Sequence, residues 1–200
     1  MTKRIFIVSI IALCYLAVRD WEGKPVEHPP GILVAERPVQ VDLQPSSFML
    51  GEYELTRKAS FEIRARVLSK EPYYMGRTAD LAPIDLALGW GEMSDSAILK
   101  QIDISQSARW YRTRYDLPPP IPDQQIIFNS SNMHMIPARK AIERSLKKLR
   151  EGDIVSISGY LVDVSHHSGW YWNSSMSRLD TGDGACELVY VESLSVENPG

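Results

Sequence analysis

The stretch from Asn132 to Val191 constrains the fold most, because one helical period there gives way to strand periods separated by Gly and Asp turns. Pro137 suits the first turn of a helix, where its missing N–H costs nothing. From Ala138 to Arg150, Ala141, Ile142, Ser145, Leu146 and Leu149 share one face and Arg139, Lys140, Glu143, Arg144, Lys147 and Lys148 the other, which predicts an amphipathic helix. Its cationic last turn complements the helix dipole, and Gly152 can end it. DIVSISGYLVDV, Asp153 to Val164, is the strongest strand signal in the chain, with Gly159 admitting a bend or bulge at its middle. His166-His167-Ser168-Gly169 reads as a turn, Trp170 to Ser175 as a second strand, Leu179 to Gly184 as an Asp/Gly turn, and Ala185 to Leu194 as the closing strand.

Upstream, GILVAERPVQVDL from Gly31 carries two short β-prone runs broken by Pro38. From Ser60 to Leu68 the residues Phe61, Ile63, Ala65 and Val67 alternate with Glu62, Arg64 and Arg66, the period of a half-buried strand ending before a turn at Glu71-Pro72. Ile84 to Gly91, IDLALGWG, has the short apolar run of a buried strand. Ser94 and Asp95 offer N-cap oxygens to a short helix through Ala97, Ile98 and Gln101. Ser107 to Tyr115 reads as a further strand, and the proline run Leu117 to Asp123 crosses the surface, since it suits neither a central strand nor a helix interior. No internal repeat is present. The expected class is α+β: a mixed, mainly antiparallel domain of roughly seven to nine short strands with one main helix. The order of helix, bent strand, hairpin and final strand resembles part of an OB-like or SH3-like small barrel.

The N-terminus has the layout of a membrane anchor or secretion signal. Thr2-Lys3-Arg4 precedes an uncharged apolar run carrying Ile5, Phe6, Ile7, Ile10, Ile11, Leu13, Leu16 and Val18, which ends at Arg19-Asp20-Trp21-Glu22. About 20 apolar residues span a bilayer, so the run is short, but Trp21 and the stems of Lys3 and Arg4 extend it. The following LAVRDW lacks a small-x-small cleavage site, which favours an uncleaved anchor over residues 1–22, with a cleaved signal as the alternative. GKPVEHPP, residues 23–30, reads as an extended tether in which His28 is solvated. Residues 31–195 then form a single β-rich domain and 196–200 a tail. Cys14 belongs to the apolar segment, so Cys186 alone is left to the domain, which cannot close an internal disulfide.

A net charge of −3 removes the electrostatic motive for tight nucleic-acid binding. Several candidate residues nevertheless have functional chemistry. Arg109, Trp110 and Tyr111, with Trp170 and Trp172, supply the stacking faces and charge that single-stranded nucleic acid or carbohydrate platforms use. His134 could activate Cys186 as a nucleophile, with Asp180 or Asp183 orienting the imidazole and Arg178 stabilising negative charge. Glu187 lies in an apolar strand and needs a partner, and Arg178 could pair with it or with Asp180 to fix the Asp/Gly turn. His166 and His167 with His134 could be metal ligands, but neighbouring side chains on a strand point to opposite faces. The run Asp180 to Gly184 lacks the alternating oxygens of a calcium loop and reads as a tight turn. No metal or cofactor is expected.

The block W-x-N-S-S-x-x-R-x-D-T-G-x-G-A-C-E, Trp172 to Glu187, preceded by Asn132-x-His134-x-Ile136-Pro137, resembles uncharacterised proteobacterial membrane-anchored proteins. The similarity covers roughly Trp90 to Glu192 and implies an envelope location without an activity. Under the positive-inside tendency Lys3 and Arg4 stay in the cytoplasm, which places the domain on the periplasmic side of the inner membrane; after cleavage it would be secreted. The expected function is a non-enzymatic domain that binds a protein partner or another ligand. The alternatives are a hydrolase using His134 with Cys186 or Asp180, and an OB-like module for single-stranded nucleic acid. The sequence sets no oligomeric state.

Overall fold

The computed structural model describes residues 23–177 and 186–197. The apolar N-terminal run, Arg178, Asp180, Asp183 and the Asp/Gly turn lie outside the described residues. Among those described, no helix is long and apolar enough to cross a membrane.

Among the described residues nine strands and four short helices follow in order. Strand β1 (Val39–Leu50) turns at Gly51 into β2 (Tyr53–Pro72), a strand of 20 residues. The alternation read between Ser60 and Leu68 is the middle of β2: Phe61, Ile63 and Ala65 are buried while Glu62 is exposed. Beyond Ala65 the alternation stops, because Arg66 and Leu68 are covered as well. The expected turn at Glu71-Pro72 is instead the end of the strand, still paired with its neighbour.

Helix α1 (Arg77–Leu81) leads to β3 (Ile84–Gly89), all of whose residues are buried. A 3-10 turn at Gly91–Ser94 precedes α2 (Ser96–Leu99), where the Asp95 carboxylate accepts from the Ala97 amide at 2.7 Å, the capping read from the sequence. The segment expected to be one strand from Ser107 to Tyr115 is a hairpin: β4 (Asp103–Ser107) and β5 (Trp110–Arg114) are joined by Ala108 and Arg109 alone. Helix α3 (Asp123–Phe128) leads to β6 (Ser130–Pro137), and α4 (Lys140–Lys148) follows.

Pro137 does not open that helix as expected. It closes β6, opposite Val191, and the next amide, Ala138, donates to the Val191 carbonyl at 3.0 Å. A ladder partner therefore outweighs the local helix preference of proline. Helix α4 still buries its predicted face, with Ile142 and Leu146 in the core and Glu143 between Lys140 and Lys147 at 2.8 and 2.6 Å.

Strand β7 (Ile154–His166) contains the expected irregularity: its register with β9 (Glu187–Val196) slips between Ser158 and Gly159. A Cβ at Gly159 would lie 1.9 Å from the Tyr190 carbonyl oxygen, so only glycine fits there. The strand expected from Trp170 to Ser175 is reduced to the two paired residues of β8, Tyr171–Trp172.

The pairings run from β2 to β3, β6, β9 and β7 and then return to β2, so the ladder meets its own starting strand. All are antiparallel except β6 with β9. Strands β1 and β8 flank this circuit. Its interior holds the main core, including Phe61, Leu86, Met133, Ile157 and Val189, and α4 adds Leu146 to it. Each such side chain contributes about 1.5–3 kcal/mol by leaving water.

The tether is docked rather than free. The Val26 amide donates to the Glu151 carbonyl at 2.7 Å, and His28 Nε2 lies 2.8 Å from the Gly152 carbonyl, where a solvated histidine was expected. Gly152 has φ of +86°, and a Cβ on it would stand 2.0 Å from the Val26 oxygen, so its side-chain-free face is what the tether packs on.

Candidate functional site

The site grows from the alternation along β3 and β6. Ile84, Leu86 and Leu88 on one strand, with Met133 and Met135 on the other, point into the circuit. Asp85 and Ala87 necessarily point the other way, where the register sets Asp85 opposite His134 and Ala87 opposite Asn132. This outer face should be wet, yet Asp85 is 0% and His134 3% exposed. The β4–β5 hairpin and the segment around β8 cover it.

The hairpin's two-residue loop sets that cover. Ala108 and Arg109 have φ of 51° and 70°, both left-handed, as a tight turn matched to strand twist demands. Asn and Gly normally fill such positions, and other residues are held there at roughly 1–2 kcal/mol each. Compensation is visible at Arg109. Its amide donates to the Tyr73 hydroxyl at 2.8 Å and its carbonyl accepts from Asn132 Nδ2 at 3.1 Å. Its guanidinium donates to Asp85 Oδ1 at 2.5 Å and to the Ala82 carbonyl at 2.9 Å, and lies 3.7 Å from the Tyr73 ring centroid.

Burial pushes the Tyr73 phenol up to about 12, the negative charge of Asp85 adding to it, so it stays a neutral hydroxyl at physiological pH. His134 Nδ1 lies 2.8 Å from Asp85 Oδ1, an electrostatic contact without the directed geometry of a hydrogen bond. Asp85 Oδ2 has no hydrogen-bond partner among the described residues. The other side of the imidazole meets Trp172, with ring centroids 4.7 Å apart. Trp172 in turn lies 6.2 Å from Trp170 and 5.5 Å from the Arg109 guanidinium.

Above this floor is a cleft of about 600 Å³, walled by Ala108, Arg109 and Trp110 on one side and by Tyr171, Trp172, Asn173 and Ser174 on the other, with Thr78, His134 and Cys186 completing it. The size suits a small molecule or one residue of a polymer. Among the described residues no group of three His, Cys, Asp or Glu is placed to hold a metal ion.

Of the sequence candidates, the structure therefore brings together Arg109, Trp110, His134, Trp172 and Cys186. Cys186 precedes β9, half-buried, with Sγ 3.7 Å from Asn132 Nδ2 and 3.9 Å from the Arg109 carbonyl. Tyr111 is not part of the cleft. One residue along β5 from Trp110, it turns to the opposite face, where its hydroxyl donates to Ser130 at 3.1 Å. Trp170 sits behind Trp172 against Tyr53. Glu187 is buried and accepts from the Ser131 hydroxyl at 2.6 Å, while Arg178, its expected partner, lies outside the described residues. His166 and His167 stack at 4.0 Å near Glu52, outside the cleft.

Sequence reasoning missed Asp85, Tyr73 and Tyr171. Asp85 had a signal, a single charge inside the apolar run IDLALG, where burial demands a counter-charge. Tyr73 had none, since only the folding back of the hairpin brings it to Arg109.

The chain matches no protein-family model and no solved structure. Over 50 residues it is 32% identical to Endonuclease 4 of Arabidopsis thaliana, a likeness covering 25% of this chain and 17% of that protein. The chain thus spans about a sixth of that relative's length.

Proposed function

We propose that the chain is a non-enzymatic binding domain of the bacterial envelope, built on an OB-like barrel and working through the cleft over β3 and β6. The observation that carries this reading is His134. Its ring is almost wholly buried and lines the cleft, with Nδ1 turned to Asp85, and Nε2 makes no hydrogen bond among the described residues. A ring nitrogen left without a partner at the wall of a cleft is open to a ligand's hydrogen bond.

The OB-like reading is supported by the closed circuit of β2, β3, β6, β9 and β7, by its one parallel pair, and by the helix between β6 and β7. The cleft lies on the second and third strands of that circuit, between the β2–β3 and β7–β9 connections, where such barrels hold ligands. The envelope location draws on the N-terminal sequence and on the resemblance carried by Trp172 to Glu187. An inner-membrane anchor with the domain in the periplasm is the form we propose.

Cys186 reports occupancy of the cleft. In a Cys14→Ser background, a small-molecule extract of bacterial envelope is expected to slow alkylation of Cys186, and Trp110→Ala to abolish the slowing. A rate that no extract changes would end the binding reading.

A hydrolase is the second reading, favoured by the Asp85–His134 contact and by Cys186 on the same wall. There His134 would be the base and Asp85, in place of Asp180, its orienting group. A thiol at Cys186 that titrates near the ordinary ~8.5 would remove the nucleophile. The local likeness to Endonuclease 4 suits the nucleic-acid alternative, but the net charge of −3 and the pairing of Arg109 with Asp85 speak against phosphate binding.

A further inference from the structure

The charge balance and the donor set of the cleft narrow the class of ligand. Arg109 is the only cation among the described residues that line it, and its guanidinium is already committed to Asp85, to the Ala82 carbonyl and to the Tyr73 ring. Among the described residues a phosphate or carboxylate would find no uncommitted cation. Among the same residues a cationic ligand would find no accessible carboxylate, because Asp85 is fully buried and paired with Arg109 and His134.

What remains open is of two kinds. Trp110 and Tyr171 are 43% and 71% exposed, unusual for such large side chains. The free polar groups are the Thr78 hydroxyl, the Asn173 amide and His134 Nε2, with no side-chain hydrogen bond among the described residues. Hydroxyl and amide both donate and accept, and an imidazole nitrogen does either according to its tautomer. Hydroxyl groups want that combination. A ring with C–H bonds on its face and hydroxyls around its edge fits the two kinds together, since the aromatic face carries negative charge density.

We propose that the cleft binds an uncharged saccharide, one ring stacked on Trp110 or Tyr171 and its edge hydroxyls bonded by Asn173, Thr78 and His134. The inference rests on the cleft being a binding site at all, and its test separates the two.

The full-length Cys14→Ser chain, in a detergent without a sugar headgroup, is titrated with chitotriose, cellotriose and maltotriose, and with oligothymidylate for comparison. Tryptophan fluorescence and Cys186 alkylation are read together. At least one trisaccharide should quench fluorescence and slow alkylation saturably, with no change on raising salt. Trp110→Ala should weaken that binding roughly tenfold, the size of one lost stacking contact. Trp110→Phe should recover most of it, which excludes a folding defect, and Met49→Ala, exposed and outside the cleft, should change nothing.

If no trisaccharide protects Cys186 while the envelope extract does, the saccharide class is wrong and the binding reading stands. Protection by oligothymidylate alone, lost at high salt, replaces the saccharide with a nucleic acid. If neither sugars nor extract protect, both readings fall.

Discussion

Strands β3 and β6 each bury two faces, and the two are built on different principles. Inward, Ile84, Leu86, Leu88, Met133 and Met135 meet an apolar core inside the closed circuit. Outward, Asp85, Asn132 and His134 are equally dry, but each needs a specific partner from a connecting segment: Asp85 has Arg109, Asn132 has Gln106 at 2.6 Å, and His134 has Asp85 and Trp172. The inner face is held by shape, which many apolar side chains satisfy. The outer one is held by pairwise chemistry, where a single deletion strands its partner.

The largest effect should come from the outer face. Asp85→Ala leaves the largely covered Arg109 without its counter-charge and is expected to cost about 3–5 kcal/mol in denaturant unfolding. Adding Arg109→Ala should recover part of that loss, a coupling read by the double-mutant cycle. Independent, additive losses at the two positions would break the contrast drawn here.

Leu86→Ala in the inner face should cost about 2–4 kcal/mol, since it opens a cavity without orphaning a charge. It should leave the alkylation rate of Cys186 in the folded protein unchanged. A changed rate would mean that the two faces are mechanically linked through β3.

The smallest effect concerns the hairpin's underside. Burial pushes the Tyr111 phenol up to about 12, above its unfolded value near 10. Its folded-state pKa is raised, so the stabilisation is complete below pH 10 and is lost as pH climbs towards 12. Stability should fall by on the order of 3 kcal/mol across that window. In Tyr111→Phe this part of the alkaline slope should disappear, leaving the part from Tyr73, which also rises to about 12.

The same contrast explains what could be read in the sequence. The inner face was legible: alternation from Phe61 to Val67 and the run at Ile84 mark strands because apolar burial repeats with the pleat. Gly159 and Asp95 were legible too, one through its missing side chain and the other through its capping oxygen. The outer face was not. The hairpin has Ala108 and Arg109 where a turn signal would be Asn-Gly, so it reads as continuous strand. Pro137 was misread because its pairing with Val191 comes from a strand more than 50 residues away. His134 and Trp172 were picked by residue type, and only folding makes them neighbours.

Closing the ladder also leaves few strand edges open among the described residues. The main unpaired rim belongs to β1, since β8 is only two residues long. Strand β1 exposes Val39, Val41 and Met49, a composition that invites another chain to add on. Its register, however, slips between Asp42 and Ser46, and Pro45 inside that slip has no N–H to offer. An incoming strand would find two short, offset segments instead of one template. A bulge and a proline at the margin of the sheet thus blunt β1 as a template for a second chain.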